Sequence, residues 1–277
     1  MRNLALLVLF VCACGPDRRS GEIHGHPPDL SQAPILDFAE PPVQDLALPA
    51  LPVHVVLTAD NAYAFGWGDV GQVSSLDGRP PTATAADIFS CPVGVGPEAY
   101  DVPAAEAPPD AYLYVVTWDD GFVTQGVIGQ FTRGGQPVYT GDKGWQVCAT
   151  GLPYDPSPGS STMNGPPQSV VNDQIAKCNA GTVSTTTGSG GWVDAMGAVT
   201  AGAVGTLAVG EDNSDNAGTF QLVCQKDAMG VQGVDAAARW MWYLAPGQTD
   251  AFHAAGGTNP TRAFLVFRLA SASVPVL

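Results

Sequence analysis

Charged side chains are scarce in this chain of 277 residues, and basic ones are the scarcest. Only 13% of the residues are charged, against about 25% in a typical soluble protein. Eleven Lys and Arg stand against 26 Asp and Glu, which gives a formal net charge of -15, and the basic residues are scattered. Because binding to nucleic-acid phosphates needs a basic patch, this composition argues strongly against a nucleic-acid partner.

Long apolar runs are also missing after the N-terminus. No later stretch reaches the roughly 20 apolar residues that a membrane-spanning helix needs. Glycine and proline are abundant instead, with 33 and 24 residues, which favours many turns over long helices. Hydrophobic residues make up 45% of the chain, enough for a sizeable core in one large domain or two small ones.

The N-terminus has the pattern of an export signal. Arg2 supplies the positive charge of a short leading region, and residues 4–11 form an apolar stretch too short to span a bilayer. The four residues that end at Cys14 resemble the bacterial lipobox, whose cysteine is lipidated and becomes the first residue of the mature protein. We predict a lipoprotein signal over residues 1–13 and a lipid anchor on Cys14. An ordinary secretory signal cut nearby is the alternative.

Residues 14–50 are rich in proline and show no apolar periodicity. This composition is typical of an extended tether that holds a domain away from a membrane. His24 and His26 lie in this segment, but nothing around them completes a metal site. We therefore predict a tether over residues 14–50 and one folded domain over residues 51–277.

Four cysteines remain after removal of the signal: Cys91, Cys148, Cys178 and Cys224. Their number is even, the exported compartment is oxidising, and none forms a Cys-x-x-Cys pair, so disulfides are favoured over zinc. Four cysteines allow three pairings. We favour Cys91–Cys148 with Cys178–Cys224, which keeps each bridge within one half of the domain.

Short β-branched and aromatic segments, separated by turns rich in Gly, Pro and Asp, predict an all-β fold. The strongest strand signal is Tyr112–Trp118. The other predicted strands are residues 53–58, 123–131, 137–139, 144–149, 191–193, 205–209, 219–223, 239–243 and 263–269. Many short strands of this kind indicate a β-sandwich or barrel.

Helical signals are few. Apolar residues from Val170 to Cys178 recur at helical spacing, with Ser169 placed to cap the helix and Gly181 to end it. Residues 235–238 are a second candidate for a single helical turn. The Thr-, Ser- and Gly-rich residues 182–191 predict a loop.

Several segments resemble the galactose-binding-like jelly-roll sandwiches that accompany bacterial glycoside hydrolases and surface proteins. Residues 57–65 (LTADNAYAF) are similar to a family strand, although Gly68-Asp69 replaces the usual Asn-Gly turn. Residues 99–102, 112–118, 125–131 and 140–147 are similar to further strands of the family, in the same order. The Trp-Met-Trp strand at 240–242 and the Phe-Arg strand at 267–268 come first in the family but last here.

The resemblance implies an all-β jelly-roll β-sandwich with permuted strand order, one short helix and a loop-rich insertion or extra strands at residues 151–235. It also implies a non-catalytic binding or structural module, because some members bind sugar at loop ends and many hold a structural calcium ion.

The candidate ligand-binding residues are Trp67, Asp60, Asn61 and Asp69. Asp60 and Asn61 would contact calcium or sugar, or cap a neighbouring backbone N–H at a strand end. Trp67, between two glycines near a turn, is the best candidate to stack on a sugar ring. The indoles of Trp118, Trp145 and Trp192 are further candidates, but Trp118 and Trp145 are expected in the core. Trp240 and Trp242 alternate on one strand and are expected to face the core together.

The densest group of oxygen ligands is the segment 211–216. Calcium takes six to eight hard oxygen ligands, and Glu211, Asp212, Asp215 and Asn216 could provide several of them. The segment lacks the glycine and glutamate of an EF-hand, and a solvated acidic turn is the alternative. Residues 119–121 are a weaker second candidate.

Catalysis finds little support in the sequence, which has neither a Gly-x-Ser-x-Gly nor a His-Glu-x-x-His motif. Asp250 and His253 form the one local acid–histidine pair outside the tether, without an obvious nucleophile nearby, and His54 lies in an apolar strand. We expect a non-enzymatic protein of the bacterial cell surface or outer membrane, lipid-anchored, that binds carbohydrate or a surface protein. A structural or adhesive subunit without a small-molecule ligand is the alternative.

Overall fold

Strands dominate the computed structural model, which describes residues 51–60, 62–78, 88–89, 97–118, 124–153, 165–225, 233–253 and 263–276. The predictions for the signal, the tether, Cys14, Asn61, Cys91 and residues 119–121 lie outside these ranges. Thirteen strands of the described part form two sheets, and every recorded strand pairing is antiparallel.

The first sheet has six strands: β1 (Val53–Asp60), β4 (Glu98–Val102), β6 (Gly126–Thr132), β7 (Pro137–Tyr139), β11 (Thr206–Asp212) and β12 (Arg239–Leu244). Their order is β11-β12-β6-β1-β4, and β7 pairs with the end of β6. Strand β1 therefore lies between β4 and β6, with His54 opposite Asp101 on one side and Thr132 on the other.

The second sheet has seven strands: β2 (Ala62–Gly68), β3 (Val73–Gly78), β5 (Tyr112–Trp118), β8 (Gln146–Pro153), β9 (Val193–Asp194), β10 (Gly197–Ala198) and β13 (Ala263–Ala270). Their order is β10-β9-β8-β13-β5-β2-β3. The chain crosses repeatedly between the sheets, as in β1 to β2 and β12 to β13. The predicted fold class, an all-β sandwich with one short helix, is confirmed.

Central strands of the second sheet are buried on both faces. Leu113 and Val115 of β5 lie in the core between the sheets, whereas Tyr114, Val116 and Trp118 lie in a second cluster on the outer face. The helix α1 (Gln168–Ala180) packs on that outer face through Val171, Ile175 and Cys178. Burial on both faces explains why β5 is a continuous apolar run rather than an alternating one.

A third cluster covers part of the outer face of the first sheet. Val56 and Ile128 contribute to it, together with Phe220, whose ring stacks on Trp240 with centroids 3.9 Å apart. Trp242 lies instead in the core between the sheets, so both tryptophans are buried, but the prediction that they face the core together is wrong. The β11–β12 ladder shifts register opposite Trp240, and such a bulge increases local twist and interrupts the period of two.

Helix α1 differs from its prediction at one end. It begins at Gln168 with Pro167 at the N-cap and no side-chain cap, so the assignment of Ser169 as the cap is wrong. Gly181 ends the helix in the left-handed region with φ 67°, as predicted. Residues 219–223 are not a strand, and residues 235–238 form a turn closed by Ala238 N–H and Asp235 C=O rather than a helical turn. No helix of the described residues is long and apolar enough to cross a membrane.

The disulfide pairing favoured from the sequence is wrong. Cys148 is bonded to Cys178, which ties β8 to α1 across a sequence separation of 30 residues. Both cysteines are fully buried in the cluster beneath α1. The favoured pairing assumed that each half of the chain folds on itself, whereas α1 packs on strands from both halves. Cys224 is also disulfide-bonded, and Cys91 lies outside the described residues.

Residues 151–235 add strands at one side of both sheets. The β9–β10 hairpin extends the second sheet beyond β8, and β11 extends the first sheet beyond β12. Strand β11 contacts β9 and β10, so these additions meet each other.

Candidate ligand-binding groove

The predicted ligand residues do not form one site. Asp60 lies at the end of β1, is buried, and accepts a hydrogen bond from Thr124 Oγ1 at 2.6 Å. Trp67 and Asp69 lie at the other end of β2, which has seven residues and so is about 20 Å long. The separation is too large for one small ligand to contact all three.

Trp67 is partly buried and packs against the core between the sheets. Its ring centroid lies 6.0 Å from that of Phe65. Asp69 is exposed, and its Oδ1 accepts the backbone N–H groups of Gly71 at 2.7 Å and Gln72 at 2.9 Å. These contacts give Asp69 a role in closing the β2–β3 turn.

Trp118 and Trp145 lie in the interior, as predicted, and Trp192 is buried as well. The guanidinium of Arg268 lies 3.8 Å from the ring centroid of Trp192, while Trp192 Nε1 donates to Asn179 Oδ1. The indole of Trp192 is therefore engaged with protein groups. Burial lowers the pKa of Arg268, and the neighbouring Tyr114 and Tyr112 oppose that shift.

Oxygens of the predicted calcium ligands accept backbone N–H groups of their own loop. Glu211 accepts from Thr219 at 2.8 Å and Phe220 at 2.6 Å. Asp212, Asp215 and Asn216 accept from Ser214, Ala217 and Leu222. Hydrogen bonds from Ser214 lower the pKa of Asp212. The described residues contain no group of three or more His, Cys, Asp or Glu placed to hold a metal ion. Calcium binding stays a prediction.

Asn213, inside that acidic segment, was not singled out by the sequence. It is buried, and its Nδ2 donates to the carbonyls of Val223 at 3.0 Å and Val234 at 2.9 Å. Its Oδ1 accepts the N–H of Val223 at 2.8 Å. Asn213 thus braces residues 223–225 against 233–235, but the exposed acidic residues around it hide that role in the sequence.

Asp250 and His253 do form the predicted acid–histidine pair. His253 Nδ1 lies 2.7 Å from Asp250 Oδ2, and both side chains are about half exposed. Burial raises the pKa of Asp250, but hydrogen bonds from Phe252 and His253 outweigh this and leave it lowered. Thr124 faces His253 in an isolated β-bridge, yet its hydroxyl donates to Asp60. The arrangement does not place that hydroxyl as a nucleophile for the histidine.

An open groove lies on the outer face of the first sheet, beside the third hydrophobic cluster. Its volume is about 680 Å³, within the range of roughly 300–1,000 Å³ common for ligand pockets. His54 of β1 and Gln130 and Thr132 of β6 form the floor. Gln225 and Asp235 form one wall, and Leu51 and Pro52 contribute to the other.

Protein contacts hold the polar groups of this groove in place. His54 Nδ1 lies 2.9 Å from Asp101 Oδ1. Gln130 Oε1 accepts the backbone N–H of Asp235 at 3.0 Å, and Asp235 Oδ1 accepts that of Ala237 at 2.8 Å. Burial, and then the carboxylates of Asp235 and Asp142, raise the pKa of Tyr139.

Groups of this kind suit a hydroxylated ligand. The groove offers the carboxylate of Asp235, the amide of Gln130 and the hydroxyl of Thr132, and no Lys or Arg is among its described lining residues. The sequence carried one signal for it: polar His54 and Gln130 occur at positions two residues from Val56 and Ile128, which share their face of the sheet. The pairing of β1 with β6, which brings the polar residues together, has no such signal.

Comparison with known proteins assigns no family to this fold. A scan against protein-family models finds no match, and searches of curated proteins and of solved structures find none either. The resemblance to galactose-binding-like sandwiches therefore stays a prediction, and the groove is interpreted from its own residues.

Proposed function

We propose that this chain is an exported, lipid-anchored bacterial surface protein whose β-sandwich binds carbohydrate without catalysing a reaction. The observation that carries the proposal is the groove over His54, Gln130 and Thr132. Sugar hydroxyls both donate and accept hydrogen bonds, and the groove presents groups of both kinds. Because the Asp235 backbone holds Gln130 and the Ala237 N–H holds Asp235, little entropy of these two side chains is lost on binding.

The first prediction concerns Gln130. The mature chain, residues 14–277 produced without the signal and kept free of lipid by Cys14→Ser, is expected to bind specific oligosaccharides on a glycan array. Gln130→Ala should weaken that binding about tenfold. The loss corresponds to one or two hydrogen bonds of roughly 0.5–1.5 kcal/mol each. Titration calorimetry with the best array ligand measures the change.

Gln72→Ala is the matched control, because Gln72 is exposed on the other sheet's β2–β3 turn. It should bind as the unmodified domain does. A blank array with a domain that circular dichroism shows to be folded would contradict carbohydrate binding.

The second prediction concerns the anchor. Protein extracted from membranes should carry a diacyl or triacyl glycerol adduct on Cys14 as its first residue, visible in the intact mass. Cys14→Ser should prevent both the adduct and cleavage after residue 13. Recovery of an unmodified soluble chain from unaltered cells would exclude lipidation and favour ordinary secretion.

The third prediction concerns calcium at Glu211, Asp212, Asp215 and Asn216, which we retain as a proposal. Calcium at about 100 times its Kd would stabilise the fold by roughly 2.7 kcal/mol, so EDTA should lower Tm by about 5–10 °C. Asp215→Asn should abolish most of this response. An unchanged Tm after exhaustive chelation would contradict calcium binding. The hydrogen bonds from the backbone to Glu211 would then be what stabilises the loop.

One observation favours the alternative of a structural or adhesive subunit. Met196, at the tip of the β9–β10 hairpin, is 94% exposed, and Val199 beside it is 43% exposed. Exposed apolar groups of this kind can mark a protein interface. Sedimentation of the mature chain without sugar distinguishes the two functions: self-association abolished by Met196→Asp would favour the structural role.

A further inference from the structure

We infer that the groove selects amine-bearing sugars, such as oligosaccharides of glucosamine, over neutral and acidic ones. This inference rests on the proposed carbohydrate-binding function and names the class of sugar. Its basis is Asp235, whose carboxylate is exposed on the groove wall and oriented by a hydrogen bond from the Ala237 backbone.

The carboxylate of Asp235 is held in one orientation. Its Oδ1 accepts the N–H of Ala237 at 2.8 Å, and the carboxylate lies close enough to Tyr139 to help raise the pKa of that phenol. The backbone N–H of Asp235 donates to Gln130 Oε1 at 3.0 Å, so wall and floor are joined. A fixed carboxylate loses little entropy when it pairs with a ligand ammonium group.

In the described part of the groove, no Lys or Arg side chain competes with a ligand ammonium group for the Asp235 carboxylate. Arg133 follows Thr132 in sequence, but its side chain is buried and donates to the carbonyl of Ala107 and to Ser271. His54 is paired with Asp101, whose carboxylate adds negative charge beside the floor. The net charge of -15 adds a field that attracts cations and repels acidic polymers.

The test compares three tetrasaccharides with the mature Cys14→Ser chain at about pH 6, where an amine is protonated. They are made of glucosamine, N-acetylglucosamine and galacturonic acid. We expect the glucosamine tetramer to bind about fivefold or more tighter than the acetylated one, which is the scale of one partly screened ion pair. The galacturonate tetramer should bind most weakly.

Two matched variants locate the effect. Asp235→Asn keeps an oxygen for the Ala237 N–H but removes the charge, and should abolish the preference for the amine. Asp194→Asn is the control, because Asp194 accepts the N–H of Met196 at 2.7 Å in a similar turn on the β9–β10 hairpin. It removes one negative charge, as Asp235→Asn does, and should keep the preference.

The outcomes separate the inference from the function on which it rests. Equal binding of the glucosamine and N-acetylglucosamine tetramers would overturn the amine preference and leave carbohydrate binding standing. If Asp235→Asn and Asp194→Asn reduce the preference for the glucosamine tetramer equally, the preference comes from overall charge. That result would overturn the groove as its source. Failure of every oligosaccharide on the array and in solution would overturn both.

Discussion

Replacing Cys148 and Cys178 together by alanine is expected to lower the free energy of unfolding by about 3–4 kcal/mol. The bridge closes a loop of 30 residues, and the chain-entropy model assigns roughly this value to a loop of that size. Alanine avoids leaving a new hydroxyl in the cluster, where both cysteines are fully buried. Urea denaturation of the variant and of the unmodified domain at one protein concentration measures the difference.

A non-reducing peptide map provides an independent readout of the same bond. It should show the peptide that contains Cys148 linked to the one that contains Cys178. The map of the double variant should lose only that species, because Cys224 is bonded elsewhere. A peptide joining Cys148 to Cys91 would contradict the structure and restore the pairing favoured from the sequence.

Local patterns predicted most of the strands because a buried strand is rich in apolar, β-branched and aromatic residues within its own segment. Tyr112–Trp118 coincides with β5, and Pro137–Tyr139 with β7. Strand β3 has the sequence VSSLDG, which contains few apolar residues and so gives almost no strand signal. It is an edge strand whose Val73 backbone is bonded by side chains of α1, with Asn172 Oδ1 accepting its N–H at 2.8 Å and Gln168 Nε2 donating to its carbonyl at 2.9 Å.

Features that depend on contacts between segments distant in the chain could not be predicted from local sequence patterns. The groove needs β1 beside β6 and residues 233–235 beside both, so its lining residues are separated by as many as 185 positions, from Leu51 to Ala236. The Cys148–Cys178 bridge depends on where α1 packs, and no local pattern contains that information. Asp60 and Trp67 are close in sequence but lie near opposite ends of β2, because the length of that strand separates them.

The acidic segment shows how composition can hide a structural residue. Its charged residues were predicted to be metal ligands, whereas the neutral Asn213 makes buried hydrogen bonds to Val223 and Val234. Gln225 Nε2 also donates to the backbone carbonyl of Asn213, and Gln225 is part of the groove wall. Asn213 therefore stabilises the loop and also helps to hold Gln225 in the wall of the proposed site.

Asn213→Asp is expected to destabilise the domain by about 3–5 kcal/mol at neutral pH, although the two side chains have the same shape. The carboxylate cannot donate, so the carbonyls of Val223 and Val234 lose a buried donor, at roughly 1–3 kcal/mol each. Asp215→Asn is the matched control, and both variants are compared in EDTA so that the calcium proposed at Asp215 contributes nothing to the difference. Asp215 is exposed, and the amide oxygen can still accept the N–H of Ala217, so a change within about 0.5 kcal/mol is expected.

The pH dependence of this variant separates charge burial from a simple packing defect. Burial beside two carbonyls raises the folded-state pKa of the introduced carboxyl above its unfolded value of about 3.9. A group with a raised folded-state pKa costs most stability above that pKa, and the cost shrinks as the pH falls toward the unfolded value. The difference between the variant and the unmodified domain should therefore narrow from pH 7 to about pH 4 in urea denaturation. A constant difference would mean that residue 213 is not held between these carbonyls, and the groove wall would then need another support.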